Sequence, residues 1–309
     1  MDEGMILEES TALDYNPLND VLFKFIFGRE ERKQITLDFL NAVLEESLKQ
    51  PIRDLTFLQT EMNPGHEADK LTRLDVACVL ESGEQVDVEV QVLNEHNMRS
   101  RTLFYWAQMY VMSLAAGQNY RDLKPVITIN ILAFNMLPQK DPHAMYGIYN
   151  LKTGDRLLKD LELHFLEIPK YADLPKKPVA EMTRMERWLA YFANKLNQQE
   201  KEELAMSDTA IYDAMQAAKL FLSSDAERHA YMNREMAIMD RKAQFEAARE
   251  DGFAKGSKVG FSKGRDAGRE EAQVQNIRML MKNTGASAEK AMGMLGVKKS
   301  LRPKYLARL

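Results

Sequence analysis

The chain has 309 residues, 45% apolar and 28% charged, which is enough to bury one large core or two ordinary ones. A single cysteine, Cys78, excludes an internal disulfide framework and fits a reducing, cytoplasmic setting. The net charge of -4 is not that of a general nucleic-acid binder, the acidic start MDEGMILEES lacks the apolar stretch of a secretory leader, and no run approaches the roughly 18 apolar residues that span a bilayer, so no membrane association is expected.

Asn16-Pro17-Leu18-Asn19-Asp20 reads as a turn into a helix. Val21, Leu22, Phe23, Phe25, Ile26 and Phe27 make that helix apolar nearly all round, which predicts burial. A second helix, Glu30 to Leu48, carries Ile35, Phe39, Leu40, Val43 and Leu44 at helical spacing and is closed off by Pro51. Leu55 to Glu61 reads as a strand, followed by a loop at Asn63-Pro64-Gly65. Strands from Arg73 to Leu80 and Glu84 to Leu93 are joined by Glu81-Ser82-Gly83, which has hairpin chemistry. Arg99 to Ala116 is helical, with Gly117 placed to end it. Val126 to Phe134 (VITINILAF) predicts a central strand. Two weaker strands are expected near Tyr146–Asn150 and Leu161–Leu166.

Leu174-Pro175-Lys176-Lys177-Pro178 is the linker candidate, and helices follow at 180–197, 201–222 and 224–250. The order predicts an α/β core, a mixed sheet flanked by helices, with an α-helical C-terminal extension. Four parts are expected: a domain over 1–175, a helical region over 176–250, a glycine ladder over 251–270 and a basic helical segment over 271–309.

In the ladder, Gly252, Gly256, Gly260, Gly264 and Gly268 recur at every fourth residue. On a helix this stripe turns only about 40° per step, and each glycine costs roughly 1 kcal/mol relative to alanine. The segment is either a helix that self-associates or packs on the body, or a flexible linker. From Asp251 onward, 13 Lys or Arg stand against 5 Asp or Glu, a balance of +8, so the preceding residues carry -12. Such a basic tail meets a polyanion, meets the acidic body, or is simply solvated. Beyond Glu271, two short helices are expected around Asn283-Thr284-Gly285, with Ser287 as an N-cap. They form a small cap or oligomerisation unit and resemble a helix-turn-helix only loosely.

The strand from Glu84 to Leu93 alternates. Val86, Val88, Val90 and Val92 face one way, and Asp87, Glu89 and Gln91 the other. In the preceding strand Leu74, Val76, Cys78 and Leu80 form the apolar side, and Asp75 is the sole charged residue from Leu74 to Leu80. If Glu81-Ser82-Gly83 is a three-residue loop with a left-handed Gly83, Leu80 pairs with Glu84 and Asp75 falls directly opposite Glu89. A two-residue loop would set Asp75 against Val90 on the core side. Two opposed carboxylates make an oxygen-rich site suited to Mg²⁺ or Mn²⁺. Lys24 is the sole cation from Val21 to Phe27. It either snorkels to water or points into this site. No HxH, HExxH or Cys/His cluster exists, so zinc is not expected.

These residues, with their neighbours, resemble a known family. Asp75 followed by Glu89-Val90-Gln91 after a hairpin is similar to the PD-(D/E)xK nuclease signature, with Gln91 where the motif usually has lysine. Asp20-x-x-Phe23-Lys24-x-x-Phe27-Gly28, Asp38-Phe39-Leu40-Asn41, Leu74-Asp75-Val76, Glu89-Val90-Gln91 and Arg101-x-x-x-Tyr105 occur in that order. Together with the glycine ladder they resemble the Rpn family of recombination-promoting nucleases. The resemblance covers about residues 14 to 170 and, loosely, the tail.

It implies a PD-(D/E)xK nuclease-like core and magnesium-dependent DNA cleavage in recombination or mobile-element biology. Asp75 and Glu89 would hold the metal, and Gln91 would orient the attacking water without a lysine's charge. Asp20 is placed as an additional acidic ligand or as a first-turn acid. Lys24 is placed to supply the charge that Gln91 lacks. Arg99 and Arg101 are placed to contact a DNA phosphate or to serve as surface charges, and the helical C-terminal region is expected to form a homo-oligomer. The competing expectation is a catalytically degenerate nuclease fold that binds DNA or a protein partner.

Overall fold

The apolar segment after Asn19 becomes the first buried helix, α1 (Asp20–Phe27), because its N-terminus is capped from within. The Asn19 carboxamide oxygen accepts from the Val21 and Leu22 amides, while its Nδ2 donates 2.7 Å to Glu235. The structure, a computed structural model, describes residues 15–59, 61–62, 72–115 and 117–309. The readings of the N-terminal ten residues, the Asn63-Pro64-Gly65 loop and Ala116 lie outside the described residues.

After α1 come α2 (Lys33–Val43), β1 (Leu55–Phe57), β2 (Glu61–Met62), β3 (Thr72–Arg73), β4 (Val76–Leu80), β5 (Gln85–Gln91), α3 (Met98–Met112), β6 (Val126–Leu132), β7 (His143–Tyr149) and β8 (Arg156–Glu167). Six strands form one mixed sheet in the order β1-β4-β5-β6-β8-β7, and β2 and β3 form a separate two-stranded ribbon. Neighbours β5/β6 and β6/β8 are parallel, and the other three pairings are antiparallel. Helices α4 (Ile168–Ala172), α5 (Arg184–Ala193), α6 (Gln198–Ser207), α7 (Thr209–Ser223), α8 (Asp225–Thr284), α9 (Ala288–Met294) and α10 (Arg302–Leu306) complete the chain. This is the mixed sheet flanked by helices, followed by a long helical extension, that the sequence predicts.

The valine face of β5 and its partners Val76, Cys78, Leu80, Ile127, Ile129 and Ile131 pack on α1, α2, α5 and α7. Full burial of such side chains is worth about 1.5–3 kcal/mol each over exposure. At the centre of this layer, the rings of Phe23, Phe27, Phe39, Trp188 and Phe192 meet stacked, tilted or edge to face at 4.5 to 6.2 Å. The helices beyond the Leu174–Pro178 segment thus share the core of the sheet. Gly28 ends α1 where a side chain would not fit: a Cβ there would lie 2.9 Å from the Lys24 carbonyl oxygen and 3.5 Å from Val76. On the opposite face, Leu74, Ala77, Met109 and Val126 pack together under α3.

Leu74 corrects an expectation. It belongs to this α3-side cluster rather than to the side of Val76, because the ladder ends at Val76 and the chain bends at Asp75. Beyond the last paired residue the two-residue alternation no longer holds.

Two compact units emerge, residues 1–239 and 240–309. The ladder glycines all lie inside the 60-residue α8. Among the described residues, a Cβ built on any of the five meets no atom within 4 Å, so none of them packs its backbone against the stripe. In the second unit, α9 starts at Ser287, whose side chain accepts from the Lys290 amide, and Val274, Ile277, Ala291, Met292, Val297 and Tyr305 form a small core.

Candidate metal and catalytic centre

The hairpin sets the site. Gly83 adopts φ +101°, its amide donates to the Leu80 carbonyl at 2.9 Å, and the Leu80 amide donates to Glu84 at 2.9 Å. The register runs Val79 to Gln85, Cys78 to Val86, Ala77 to Asp87 and Val76 to Val88. The ladder ends there in the register that the three-residue loop predicts, with Asp75 and Glu89 as the next residues on each side.

The two residues are directly bonded: the Asp75 amide donates to Glu89 Oε1 at 3.1 Å, and the Val90 amide donates to Asp75 Oδ2 at 3.0 Å. From α1, Lys24 Nζ reaches Asp75 Oδ1 at 3.0 Å. From α3, Arg101 forks across the strand. Its Nη1 donates to Gln91 Oε1 at 2.9 Å, its Nη2 to Glu89 Oε2 at 3.3 Å, and its Nε to the Tyr105 hydroxyl at 2.9 Å.

Other predicted site residues are placed elsewhere. Asp20 is held by Arg234 Nε of α8 at 2.6 Å, and its charge adds to the forces that raise the Asp75 carboxyl. Arg99 is exposed, and its Nη2 donates to the Met136 carbonyl at 3.1 Å. Arg101 turns inward onto Glu89 and Gln91, so it is not the plain surface charge that was one of its two readings. His96 lies in the loop before α3, and His66 falls outside the described residues.

The sequence reading left out Asp87 as a site residue. It lies on the same face of β5, only 1% exposed, and neither of its carboxylate oxygens has a hydrogen-bond partner among the described residues. Thr128, its register partner on β6, is likewise buried with an unpartnered hydroxyl. The signal was available: Asp87 shares the parity of Glu89 and Gln91. Tyr105 was readable too, four residues beyond Arg101 and thus one helical turn away.

Burial, followed by mutual repulsion, sets the electrostatics. Desolvation pushes the Asp75 carboxyl up against the opposing pull of Lys24. Glu89 is held well above the usual carboxylate range by burial and then by Asp87 and Asp75. Asp87 is raised well above it by burial and then by Asp75.

Three carboxylates thus crowd a site to which Lys24 and Arg101 bring two cations. An all-oxygen, electron-rich donor set with an unsatisfied buried carboxylate fits a hard divalent cation. Among the described residues no three His, Cys, Asp or Glu side chains converge into a complete cage. Asp75 and Glu89 would contribute two ligands, and solvent or a phosphate oxygen the remainder, the manner usual for Mg²⁺.

Among the described residues no helix is long and apolar enough to cross a membrane. No curated protein and no solved structure matches the chain. A family model does: the one described as PD-(D/E)XK nuclease family transposase matches residues 17–248, from the turn before α1 into the body of α8 and across every element that builds the site, and the chain belongs to that family.

Proposed function

We propose that the protein is a metal-dependent DNA endonuclease that hydrolyses phosphodiester bonds with Mg²⁺ or Mn²⁺, acting in recombination or mobile-element biology as an Rpn-type nuclease of the cytoplasm. The observation that carries this reading is the meeting of Asp75 and Glu89 just past the end of the β4–β5 ladder, where each carboxylate accepts from the other segment's backbone. Like charges brought together across adjacent strands destabilise a bare hairpin, and here Glu89 is buried, Asp75 is largely so, and a third carboxylate, Asp87, lies buried beside them. Such an arrangement makes sense where a cation bridges the pair.

In this reading Asp75 and Glu89 hold the metal. Bound there, a divalent cation supplies an activated water and stabilises the charge that develops on the phosphodiester. Lys24 steadies Asp75 and keeps a positive charge at the reacting edge. Asp20, engaged by Arg234, is the additional acidic group at the site. Arg99, exposed at the start of α3, contacts a DNA phosphate in this reading. The helical C-terminal unit assembles a homo-oligomer through the glycine face of α8.

A degenerate, binding-only nuclease fold is the second reading. It is favoured by the uncharged Gln91 and by the absence, among the described residues, of a complete three-ligand cage. Plasmid nicking with and without Mg²⁺ separates the two, with Asp75→Ala as the control. The nuclease reading expects Mg²⁺-dependent cleavage that Asp75→Ala abolishes. It also expects Mg²⁺ or Mn²⁺ to raise the melting temperature of the wild type but not of Asp75→Ala. A wild type that binds DNA yet neither cuts it nor gains stability from metal would leave only the binding module.

A further inference from the structure

We infer that Gln91 is a positioning residue for Arg101, and that the two together deliver the positive charge that a lysine at position 91 would otherwise bring. The inference rests on the nuclease reading above and goes beyond it by naming the source of the charge.

Gln91 departs from the motif at its third position, and the geometry gives the departure a use. Its carbonyl oxygen accepts from Arg101 Nη1 at 2.9 Å. A lysine can only donate, so at the same place it would set one cation against another. The guanidinium is over-determined: Tyr105 accepts from Nε at 2.9 Å, its ring centroid lies 5.0 Å from the guanidinium carbon, and Glu89 takes Nη2 at 3.3 Å. The planar fork holds its donors in fixed directions toward these three acceptors, whereas an ammonium on a flexible stem is a point charge without that preset geometry.

The contact with Glu89 is the one that can be exchanged. A cation on Glu89 competes with Arg101 for the same carboxylate. Gln91 and Tyr105 then keep the guanidinium at the site when Glu89 turns to metal, with Nη2 free for a phosphate oxygen. Arg101 is half-buried and Glu89 only 2% exposed, so the charge acts where water screens little. Lys24 does a different task from α1, where its ammonium belongs to Asp75.

The test uses the full-length protein and three variants: Gln91→Lys, Arg101→Met and the double variant. Two quantities are read, the Mg²⁺-dependent plasmid cleavage rate and the Mn²⁺ concentration that produces half of the thermal shift. Gln91→Lys restores the usual motif, yet it is expected to cleave at least about tenfold more slowly than wild type, because it evicts Arg101. Arg101→Met should be as slow while binding Mn²⁺ several-fold more tightly, since Glu89 has lost its competitor. Damage to the fold would not raise metal affinity. The double variant, with one cation again at this place, should recover at least about tenfold over either single change.

A Gln91→Lys protein that keeps pace with the wild type overturns the inference. So does Arg101→Met losing metal affinity together with cleavage, or a double variant no better than the singles. A wild type without metal-dependent cleavage and without a metal-induced thermal shift overturns the nuclease reading itself, which is a separate outcome.

Discussion

An ammonium carried on an apolar helix must find an anion or reach water. Lys24 finds Asp75 at 3.0 Å while keeping about a third of its side chain exposed. If this charge serves cleavage, Lys24→Met should fold, since the helix face is already apolar, and should lose cleavage by roughly 100-fold, the scale on which a charge-stabilising donor acts. Full activity in a folded Lys24→Met protein would dismiss Lys24 from the chemistry. At this scale the sequence was informative where the residue stood out from its surroundings. Lys24 is a lone cation in an apolar run, Asp75 a lone acid in a strand, and Asp75 opposite Glu89 is a matter of counting across a loop. It was silent where partners come from afar. The Arg234 that holds Asp20 lies 214 positions away, and nothing in either segment announces the pairing. The direction of Arg101 was ambiguous because α3 is polar and apolar in turn around its circumference, so spacing alone did not decide which side meets β5.

Strand lengths were less legible than strand order. β8 runs from Arg156 to Glu167, beginning before the expected Leu161, because its first residues pair with the edge strand β7 and remain largely solvated, leaving no alternation to read. A chain of side chains adds to the backbone pairing of these two strands. His143 Nε2 lies 2.9 Å from His164 Nδ1, His164 Nε2 lies 2.9 Å from Glu162 Oε1, and Arg156 Nη2 donates to Glu162 Oε2 at 2.6 Å. Burial, reinforced by His164, lowers His143 to about 4. Burial alone would raise Glu162, but hydrogen bonds from His164, Ser47 and Arg156 outweigh it and hold the carboxyl down at about 2. Both shifts act in the same direction. The unfolded chain takes up a proton on each group at higher pH than the folded one, so stability is present above about 6.5 and is lost as pH falls, first through the His143 window down to about 4 and then through the Glu162 window down to about 2. The raised carboxyls of Asp75, Asp87 and Glu89 act the other way, so the β7–β8 contribution is read as a difference: between pH 6.5 and 4 the melting temperature of His143→Gln should fall less than that of the wild type. An unchanged slope in the variant would mean that the β7–β8 chain does not carry the acid sensitivity.

For the whole molecule, the order of elements and the α/β class could be read from hydrophobic periodicity, because strands that are apolar throughout and helices with wide apolar faces need the same core. The glycine ladder could be read only as a repeat. Its neighbours supply no apolar face that would say what lies against it, and the stripe is open in the single chain. Five exposed glycines cost the helix roughly 5 kcal/mol relative to alanine, a burden that a backbone packed against the stripe would offset. Two sets of substitutions at Gly256, Gly260 and Gly264 resolve the question. Alanine and leucine are both strong helix formers, and a Cβ at any of these positions meets no atom within 4 Å, so both variants should be more helical and melt higher than the wild type. They differ in bulk. If copies of the chain assemble by bringing a second backbone onto the stripe, triple leucine should sediment as a smaller species than the wild type, while triple alanine stays near the wild-type size. If wild type, alanine and leucine proteins sediment alike, the ladder takes no part in assembly and the proposed homo-oligomer must be sought on another face.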